Sequence, residues 1–216
     1  MQIKQFIVGD VSTNCYLVYD EETHEGAIID PGDNADRLLA EIEKERIQLK
    51  YILLTHAHFD HILAVGAIKQ ATGAQVVVSK KDEYLFDANT ALSAFGAYGR
   101  QLMQRFDFPG ADIWAEEGTE VTFGGMTAKY FATPGHTPGS CVILLDDQVL
   151  FTGDTLFRQS CGRIDLPGGD WGTMLKSLKK LYELPGDYQV LPGHEGLSTL
   201  QQERASNPYM RQAIEE

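Results

Sequence analysis

The sequence predicts an α/β protein of the α+β type, in which two β-sheets pack together and helices cover their outer faces. Two observations carry this prediction. A β-rich segment, a helix, a strand and a helix follow one another in the first half of the 216-residue chain, and the same order returns in the second half. The order is not a regular alternation of strand and helix, and no G-x-G-x-x-G or Walker sequence is present. A doubly wound nucleotide-binding fold is therefore disfavoured.

The first half begins with three predicted strands, in "QIKQFIV", "NCYLVYD" and "GAIID". A helix follows over "DNADRLLAEIEKER", with Asp33 as its predicted cap and Leu38, Leu39 and Ile42 on one face. "YILLT" predicts a buried strand, "DHILAVGAIKQAT" a helix ending near Gly73, and "AQVVVS" another strand.

From Lys81 to Phe106, apolar residues recur at helical spacing, with a candidate break at Gly96 and Gly99. This segment is expected to pack into the core, with a roof over the functional site as the alternative. The second half predicts strands in "TEVTF", "MTAKYFA", "SCVILLD", "QVLF" and "YQVLP", and helices in "WGTMLKSLKKLYEL" and "TLQQERA". No Pro/Gly/Ser linker interrupts the chain, so residues 1–216 are expected to form one domain.

Charge and composition exclude several classes of partner. The net charge of −13 repels a phosphate backbone and no basic stripe offsets it, so a nucleic-acid partner is disfavoured. A small anionic substrate stays compatible, because a bound metal reverses the sign locally. No apolar run approaches the ~20 residues of a membrane span, and the N-terminus does not resemble a signal peptide. Three scattered cysteines favour a reduced, cytoplasmic setting.

The histidines are concentrated at the ends of predicted strands. "THAHFDH" holds three of the six, directly after the strand "YILL". His136 in "ATPGHTPGS", Asp154 in "FTGDT" and His194 in "LPGHE" also follow predicted strands, and such loops commonly carry functional sites. Three crowded imidazoles raise one another's desolvation and repulsion, with no structural benefit. Metal ligation explains the crowding, because neutral imidazole is a common metal ligand.

The number of candidate ligands suits two metal ions. The candidates are His56, His58, Asp60, His61, His136, Asp154 and His194. One catalytic zinc ion typically takes three protein ligands and a water, so seven ligands suit two ions with a shared carboxylate. Nitrogen and oxygen donors without thiolate fit zinc, and also iron or manganese. We therefore expect two divalent ions, zinc first among them.

These motifs in combination resemble those of the metallo-β-lactamase superfamily, over nearly the whole chain from "IIDPG" to "LPGHE". The resemblance implies the metallo-β-lactamase fold, a four-layer αβ/βα sandwich. It implies that the first metal is bound by His56, His58 and His136. The second metal would be bound by Asp60, His61 and His194, and Asp154 would bridge the two metals.

The residue at the bridging position is Asp154 rather than a cysteine. In this respect the sequence resembles the glyoxalase II group of thioester hydrolases. "CGRIDLPGGD" resembles the loop where that group binds glutathione, which implies that Arg163 contacts the substrate, although a salt bridge to a nearby acid explains Arg163 nearly as well. Asp30 of "IIDPG" would stand behind the metal ligands, or would simply be a turn aspartate beside a proline. Only 22 residues follow His194, so the C-terminal helical domain of glyoxalase II enzymes is expected to be missing or reduced to one helix.

The predicted function is metal-dependent hydrolysis of a small thioester, such as a hydroxyacylglutathione or the ester of another thiol carrier. Two ions ~3.5–4 Å apart would hold a bridging hydroxide, which Asp60 would orient. Three alternatives stay open: an iron-dependent persulfide dioxygenase with one ion, a lactonase or phosphodiesterase on the same scaffold, and a non-catalytic metal-binding protein. The complete ligand set favours two metals and hydrolysis.

Overall fold

The computed structural model describes residues 1–215 and contains two six-stranded mixed sheets. The strands of the first sheet lie in chain order: β1 (Gln2–Val8), β2 (Thr13–Tyr19), β3 (Glu25–Ile29), β4 (Gln48–Leu53), β5 (Gln75–Ser79) and β6 (Ile113–Ala115). β1, β2 and β3 pair antiparallel, whereas β3 to β6 pair parallel. The carboxyl ends of these parallel strands therefore meet at one edge of the sheet.

The strands of the second sheet also lie in chain order. Its strands are β7 (Glu120–Phe123), β8 (Met126–Ala132), β9 (Cys141–Leu145), β10 (Val149–Gly153), β11 (Gln189–Pro192) and β12 (Ser198–Thr199). β7 to β10 form an antiparallel meander, β10 and β11 pair parallel, and β12 pairs antiparallel with β11. β10 and β11 thus also end at a common edge.

Residues 1–215 also contain eight α-helices and two 3-10 segments. The helices are α1 (Ala35–Lys44), α2 (Phe59–Ile62), α3 (Val65–Thr72), α4 (Ala88–Leu92), α5 (Gly96–Leu102), α6 (Trp171–Glu183), α7 (Leu200–Ser206) and α8 (Pro208–Glu215). The 3-10 segments are Lys80–Phe86 and Ser93–Phe95. Across this part of the chain, each helix is too short or too polar to cross a bilayer.

The apolar residues divide into layers according to the alternation of strand side chains. Ile29 and Leu53 face the second sheet and pack with its Tyr130 and Phe151 in the central core. The adjacent residues Ile28 and Ile52 point to the outer face of the first sheet and pack against α1 and α3. The outer face of the second sheet packs against α6 and α8. The molecule is a four-layer αβ/βα sandwich, which confirms the predicted fold class.

One predicted helix is divided in two by a contact with a distant loop. The pattern in "DHILAVGAIKQAT" predicted a single helix, but α2 ends at Ile62 and α3 begins at Val65. The backbone N–H of Ala64 donates to the carbonyl of Pro31 (3.0 Å) instead of to the preceding helical turn. The predicted end of α3 is correct, because Gly73 adopts a left-handed conformation there (φ 72°).

The predicted cap of α1 is wrong. The helix begins after Asn34, which has a φ of 56° and provides no side-chain cap. The carboxylate of Asp33 instead accepts the N–H of Asn34 (2.6 Å) and pairs with Arg105. Arg105 lies far along the chain, so the local sequence gave no sign of this competing partner.

The 81–106 segment is helical only in short pieces. Leu92 and Leu102 are buried with Phe59, and the ring of Phe95 lies 4.8 Å from the ring of Phe59. After His194 the chain forms two helices, α7 and α8, rather than the predicted one. Both contact α6. The single-domain organisation stays a prediction.

Candidate metal centre

Seven side chains of ligand type converge beyond the carboxyl ends of β4, β8, β10 and β11. They are His56 and His58 in the loop after β4, Asp60 and His61 on α2, His136 after β8, Asp154 after β10 and His194 after β11. Most are deeply buried, with His61 completely inaccessible and Asp154 8% exposed. The sheets bring together all seven residues that the sequence singled out.

Six of these side chains form two groups. The first group is His56, His58 and His136, and the second group is Asp60, His61 and His194; within each, the candidate ligand atoms lie within 4.8 Å of one another. In the first group, Nδ1 of His58 and Nε2 of His136 are 2.8 Å apart. In the second group, Nε2 of His194 and of His61 lie 3.2 and 3.4 Å from Oδ2 of Asp60.

Asp154 lies between the two groups. Its Oδ2 is 3.4 Å from Nε2 of His136 in the first group. Its Oδ1 is 3.4 Å from Nε2 of His61, and its Oδ2 is 3.6 Å from Nε2 of His194, both in the second group. One carboxylate therefore faces donors on both sides, which is the arrangement that a bridging ligand requires.

Unsatisfied polar atoms support metal binding here. Within residues 1–215, Nε2 of His56, Nε2 of His61 and Oδ1 of Asp154 are buried and have no hydrogen-bond partner. Buried polar atoms without partners are costly, so several in one place indicate a missing ligand. Imidazole nitrogens and carboxylate oxygens are suitable donors for a divalent transition metal. The residues present therefore fit the implied ions.

The charges in the metal-free protein differ between the two groups. Burial lowers the pKa of His56 well below its usual value and that of His58 to about 3, and neighbouring imidazoles contribute in the same direction. Both rings are thus neutral and ready to donate to a metal. Burial lowers the pKa of His61, but nearby carboxylates outweigh this effect and raise the pKa to about 10. The carboxylates of Asp60 and Asp154 contribute most to the increase. The carboxylates around His61 therefore favour a positive charge in the second group.

Asp30 lies behind the centre and contacts a candidate ligand. Its Oδ2 is 2.9 Å from Nδ1 of His61 and accepts a hydrogen bond from Oγ1 of Thr55 (2.6 Å), while its Oδ1 accepts the Thr55 N–H (2.8 Å). Asp30, His56 and His61 also form a compact group of possible ligands. Because both oxygens of Asp30 already have partners, we interpret it as the residue that orients His61.

Arg163 lies at the cleft but is paired with an acid. Its guanidinium donates to both oxygens of Asp165 (2.6 and 2.7 Å), and both side chains are exposed. Its backbone carbonyl lies 2.6 Å from Nδ1 of His136. Neighbouring Cys161 is partly buried among apolar side chains, and this burial raises the pKa of its thiol to about 11, as expected of a packing residue.

The sequence interpretation missed polar residues at the start of β2. Thr13 donates from Oγ1 to Oδ2 of Asp60 (3.0 Å), and Asn14 donates from Nδ2 to the carbonyls of Pro192 and Glu195 (both 3.0 Å) on either side of His194. Every residue of β2 is buried. The only signal in the sequence that could have identified Thr13 and Asn14 is that they are polar residues at the start of an otherwise apolar strand.

A small cleft of about 160 Å³ opens at the centre. Besides candidate ligands and Arg163, it is lined by apolar side chains, namely Val11, Phe59, Phe95 and Leu166. Phe95 comes from the 81–106 segment, which therefore contributes both to the core and to a wall of the cleft. This volume suits the reacting end of a small molecule rather than a whole polymer.

The four-layer fold and the two adjoining groups of buried donors define a metal-dependent enzyme. The sequence profile of the metallo-beta-lactamase superfamily matches residues 8–194. The chain belongs to this superfamily, as its motifs indicated.

Two relatives with named activities match along almost the whole chain. The hydroxyacylglutathione hydrolase GloC of Haemophilus influenzae is 36% identical, over 97% of this chain and 98% of its own. The mitochondrial persulfide dioxygenase ETHE1 of Mus musculus is 32% identical, over 99% of this chain and 78% of its own. The superfamily thus supplies relatives with two different activities at comparable identity.

Two solved structures agree with the fold. The BLEG-1 B3 metallo-beta-lactamase has a TM-score of 0.87 at 36% identity, over 97% of this chain and 99% of its own. TTHA1623, solved in a di-iron-bound form, has a TM-score of 0.81 at 35% identity, over 95% of this chain and 99% of its own. The di-iron neighbour and the two groups of donors together support two metal ions in this chain.

Proposed function

We propose that this protein hydrolyses a small thioester, such as a hydroxyacylglutathione, with two divalent metal ions. The observation that carries the proposal is the pair of donor groups on either side of Asp154, at the base of a cleft. A centre with a single ion would leave the second group without a role. The GloC relative, which matches over both chains almost completely, supports the substrate class.

The proposed ligands follow the two groups. The first ion would be held by His56, His58 and His136, and the second by Asp60, His61 and His194, with Asp154 shared. When bound, the ions would lower the pKa of a water and polarise the carbonyl of the substrate. Imidazole and carboxylate donors suit zinc, which we propose first, and iron or manganese as well.

Several side chains of this protein would prepare the reaction. Asp60 is fixed by Thr13 through its Oδ2 and is 14% exposed, so its carboxylate can orient the attacking water at the cleft. Asp30 fixes the ring of His61. The apolar walls formed by Phe59 and Phe95 would exclude bulk water and strengthen the electrostatic interactions at the carbonyl.

We further propose that Arg163 contacts a carboxylate of the thiol carrier. In the free protein its guanidinium is occupied by Asp165, so an anionic substrate must compete for it. We expect Arg163→Met to raise KM for S-lactoylglutathione by about tenfold, with little change in kcat, because a charge-assisted hydrogen bond would be lost. Asp165→Asn should lower KM, because it frees the guanidinium.

Steady-state kinetics of both variants would test this contact. Lys176→Met, a matched loss of one positive charge on α6, serves as the control. An unchanged KM in both Arg163→Met and Asp165→Asn would contradict the role and leave Arg163 as a surface ion pair.

Two rival activities have specific support. The mouse persulfide dioxygenase favours iron-dependent oxidation of a persulfide. The high structural similarity to a B3 metallo-beta-lactamase favours hydrolysis of a β-lactam ring. Because a thioester, a persulfide and a β-lactam are chemically distinct substrates, assays with all three can distinguish these activities.

The deciding experiment combines metal analysis with substrate assays. Protein purified without added metal should contain about two divalent ions per chain. The same preparation would be offered S-lactoylglutathione, glutathione persulfide with an oxygen electrode, and a chromogenic β-lactam. We expect thioester hydrolysis to have the highest kcat/KM. One iron per chain with oxygen uptake would replace the proposal with the dioxygenase, and dominant β-lactam hydrolysis would replace it with the β-lactamase.

We further propose that the protein works in a reducing cytoplasm on a small-molecule substrate. The three cysteines are free, and two of them are buried, which agrees with a reducing cytoplasm. A small-molecule substrate fits the size of the cleft. A nucleic-acid partner stays disfavoured by the net charge of −13.

A further inference from the structure

A buried carboxylate outside the candidate metal centre joins two of its loops. Asp82 lies in the 3-10 segment after β5 and is completely inaccessible to solvent. Its Oδ2 accepts hydrogen bonds from the N–H of Ala57 (3.0 Å) and from Oγ1 of Thr137 (2.8 Å), and its Oδ1 accepts one from the N–H of Gly139 (2.7 Å). A buried carboxylate is tolerated when it is hydrogen-bonded in this way.

The donors to Asp82 belong to the loops that carry the first group. Ala57 lies between His56 and His58, and Thr137 directly follows His136. One carboxylate therefore holds the backbone between His56 and His58, and it holds the loop after His136 through the hydroxyl of Thr137 and the N–H of Gly139. The loops come from different sheets, so their separation depends on contacts across the sandwich.

The fit around the carboxylate is close. A Cβ atom added at Gly139 would lie 2.5 Å from Cγ and from Oδ1 of Asp82, so a side chain at this position would displace the carboxylate. A separate hydrogen bond, from the N–H of Cys141 to the carbonyl of Thr55 (2.8 Å), also joins the two loop regions. The sandwich thus keeps one connection here if Asp82 is changed, which makes a folded variant a realistic expectation.

The second group depends on other residues. Asp30 contacts His61, Thr13 contacts Asp60, and the loop of His194 is held by Asn14. These supports come from β2 and from the loop after β3, which lie on one side of β4 in the sheet, whereas the 3-10 segment that carries Asp82 follows β5 on the other side.

We propose that Asp82 is a positioning residue that sets the spacing of the His56–His58 loop and the His136 loop, and thereby the metal affinity of the first group. The inference rests on the proposed ligand assignment. It assigns no role to Asp82 in the second group. It also predicts which ion is lost first when the carboxylate is removed.

Asp82→Asn is the principal test. The amide keeps the shape of the side chain but has only one acceptor oxygen, so one loop N–H must face an NH₂ group. We expect the zinc affinity of the first group to fall by ~10–100-fold, as is typical when the support of a ligand is removed. The affinity of the second group should be unchanged. Competition with a chromophoric chelator would measure both affinities, and anomalous X-ray scattering would identify the ion that remains.

A second variant perturbs the same contact from the opposite side. Gly139→Ala should displace the carboxylate of Asp82 and weaken the same ion. If both changes act through one contact, the double variant should lose little more affinity than either single variant. If Asp82→Asn folds poorly, Gly139→Ala alone still tests the contact through the two zinc affinities.

Leu181→Ala is the control for a general loss of stability. Leu181 is buried in α6, in the apolar layer on the outer face of the second sheet. Its truncation should destabilise the fold while leaving the ratio of the two zinc affinities unchanged. Equal weakening of both ions in Asp82→Asn, or no weakening, would overturn the inference. If the unchanged protein binds no metal at all, the ligand assignment itself fails, and the two failures are thereby distinguished.

Discussion

Asp154→Ala should reduce thioester turnover by about 10³-fold and the metal content by about one ion per chain. The carboxylate lies 3.4 Å from a nitrogen of each group, so its removal takes a donor from both proposed ions at once. The neighbouring imidazoles of His61 and His136 would then face each other without an intervening negative charge. A single remaining ion would activate the water and polarise the carbonyl less effectively than two ions together.

Asp154→Ala needs a control variant that also removes one negative charge. Asp36→Ala removes an exposed carboxylate from the first turn of α1, away from the centre, and should retain two ions and full turnover. Metal content by mass spectrometry and kcat/KM for S-lactoylglutathione would be measured for both proteins. Full turnover in Asp154→Ala would refute the bridging role, and with it the two-metal mechanism.

Gly32→Ala should destabilise the fold by about 3 kcal/mol and remove the ion of the second group. Gly32 lies in the loop after β3, pressed against the backbone of α2. An added Cβ would lie 2.7 Å from the carbonyl carbon of Asp60, closer still to its oxygen, and 3.4 Å from the N–H nitrogen of His61. All three are backbone atoms, so α2 must move and carry its two candidate ligands with it.

Urea unfolding and metal analysis would measure these effects. Gly172→Ala is the matched control, because Gly172 is in the first turn of α6 and an added Cβ would approach no atom closer than 3.7 Å. Alanine also favours the helix, so this variant should be neutral or more stable. A stable Gly32→Ala protein with two ions would mean that the loop and α2 do not pack as closely as described.

Much of the fold follows from local patterns in the sequence. The alternating or continuous apolar runs predicted most of the strands, and "WGTMLKSLKKLYEL" predicted α6. β6, β12 and α8 were missed. β6 and β12 consist of three and two residues, and such runs give no recognisable period. The division between α2 and α3 was also missed, because a carbonyl more than thirty positions away, that of Pro31, takes the N–H of Ala64.

The sequence by itself determined which side chains are available for a metal, because ligand-type residues follow the ends of strands and parallel strands end at a shared edge. Only the tertiary structure decided how they are grouped: that Asp154 faces both sets of donors, that Asp30 holds His61, and that Arg163 is occupied by Asp165. It also identified Asp82, which the sequence presents as an ordinary acid. The reason is physical. A residue's type fixes which bonds it can make, but its partner depends on which distant loop folding brings within about 3 Å.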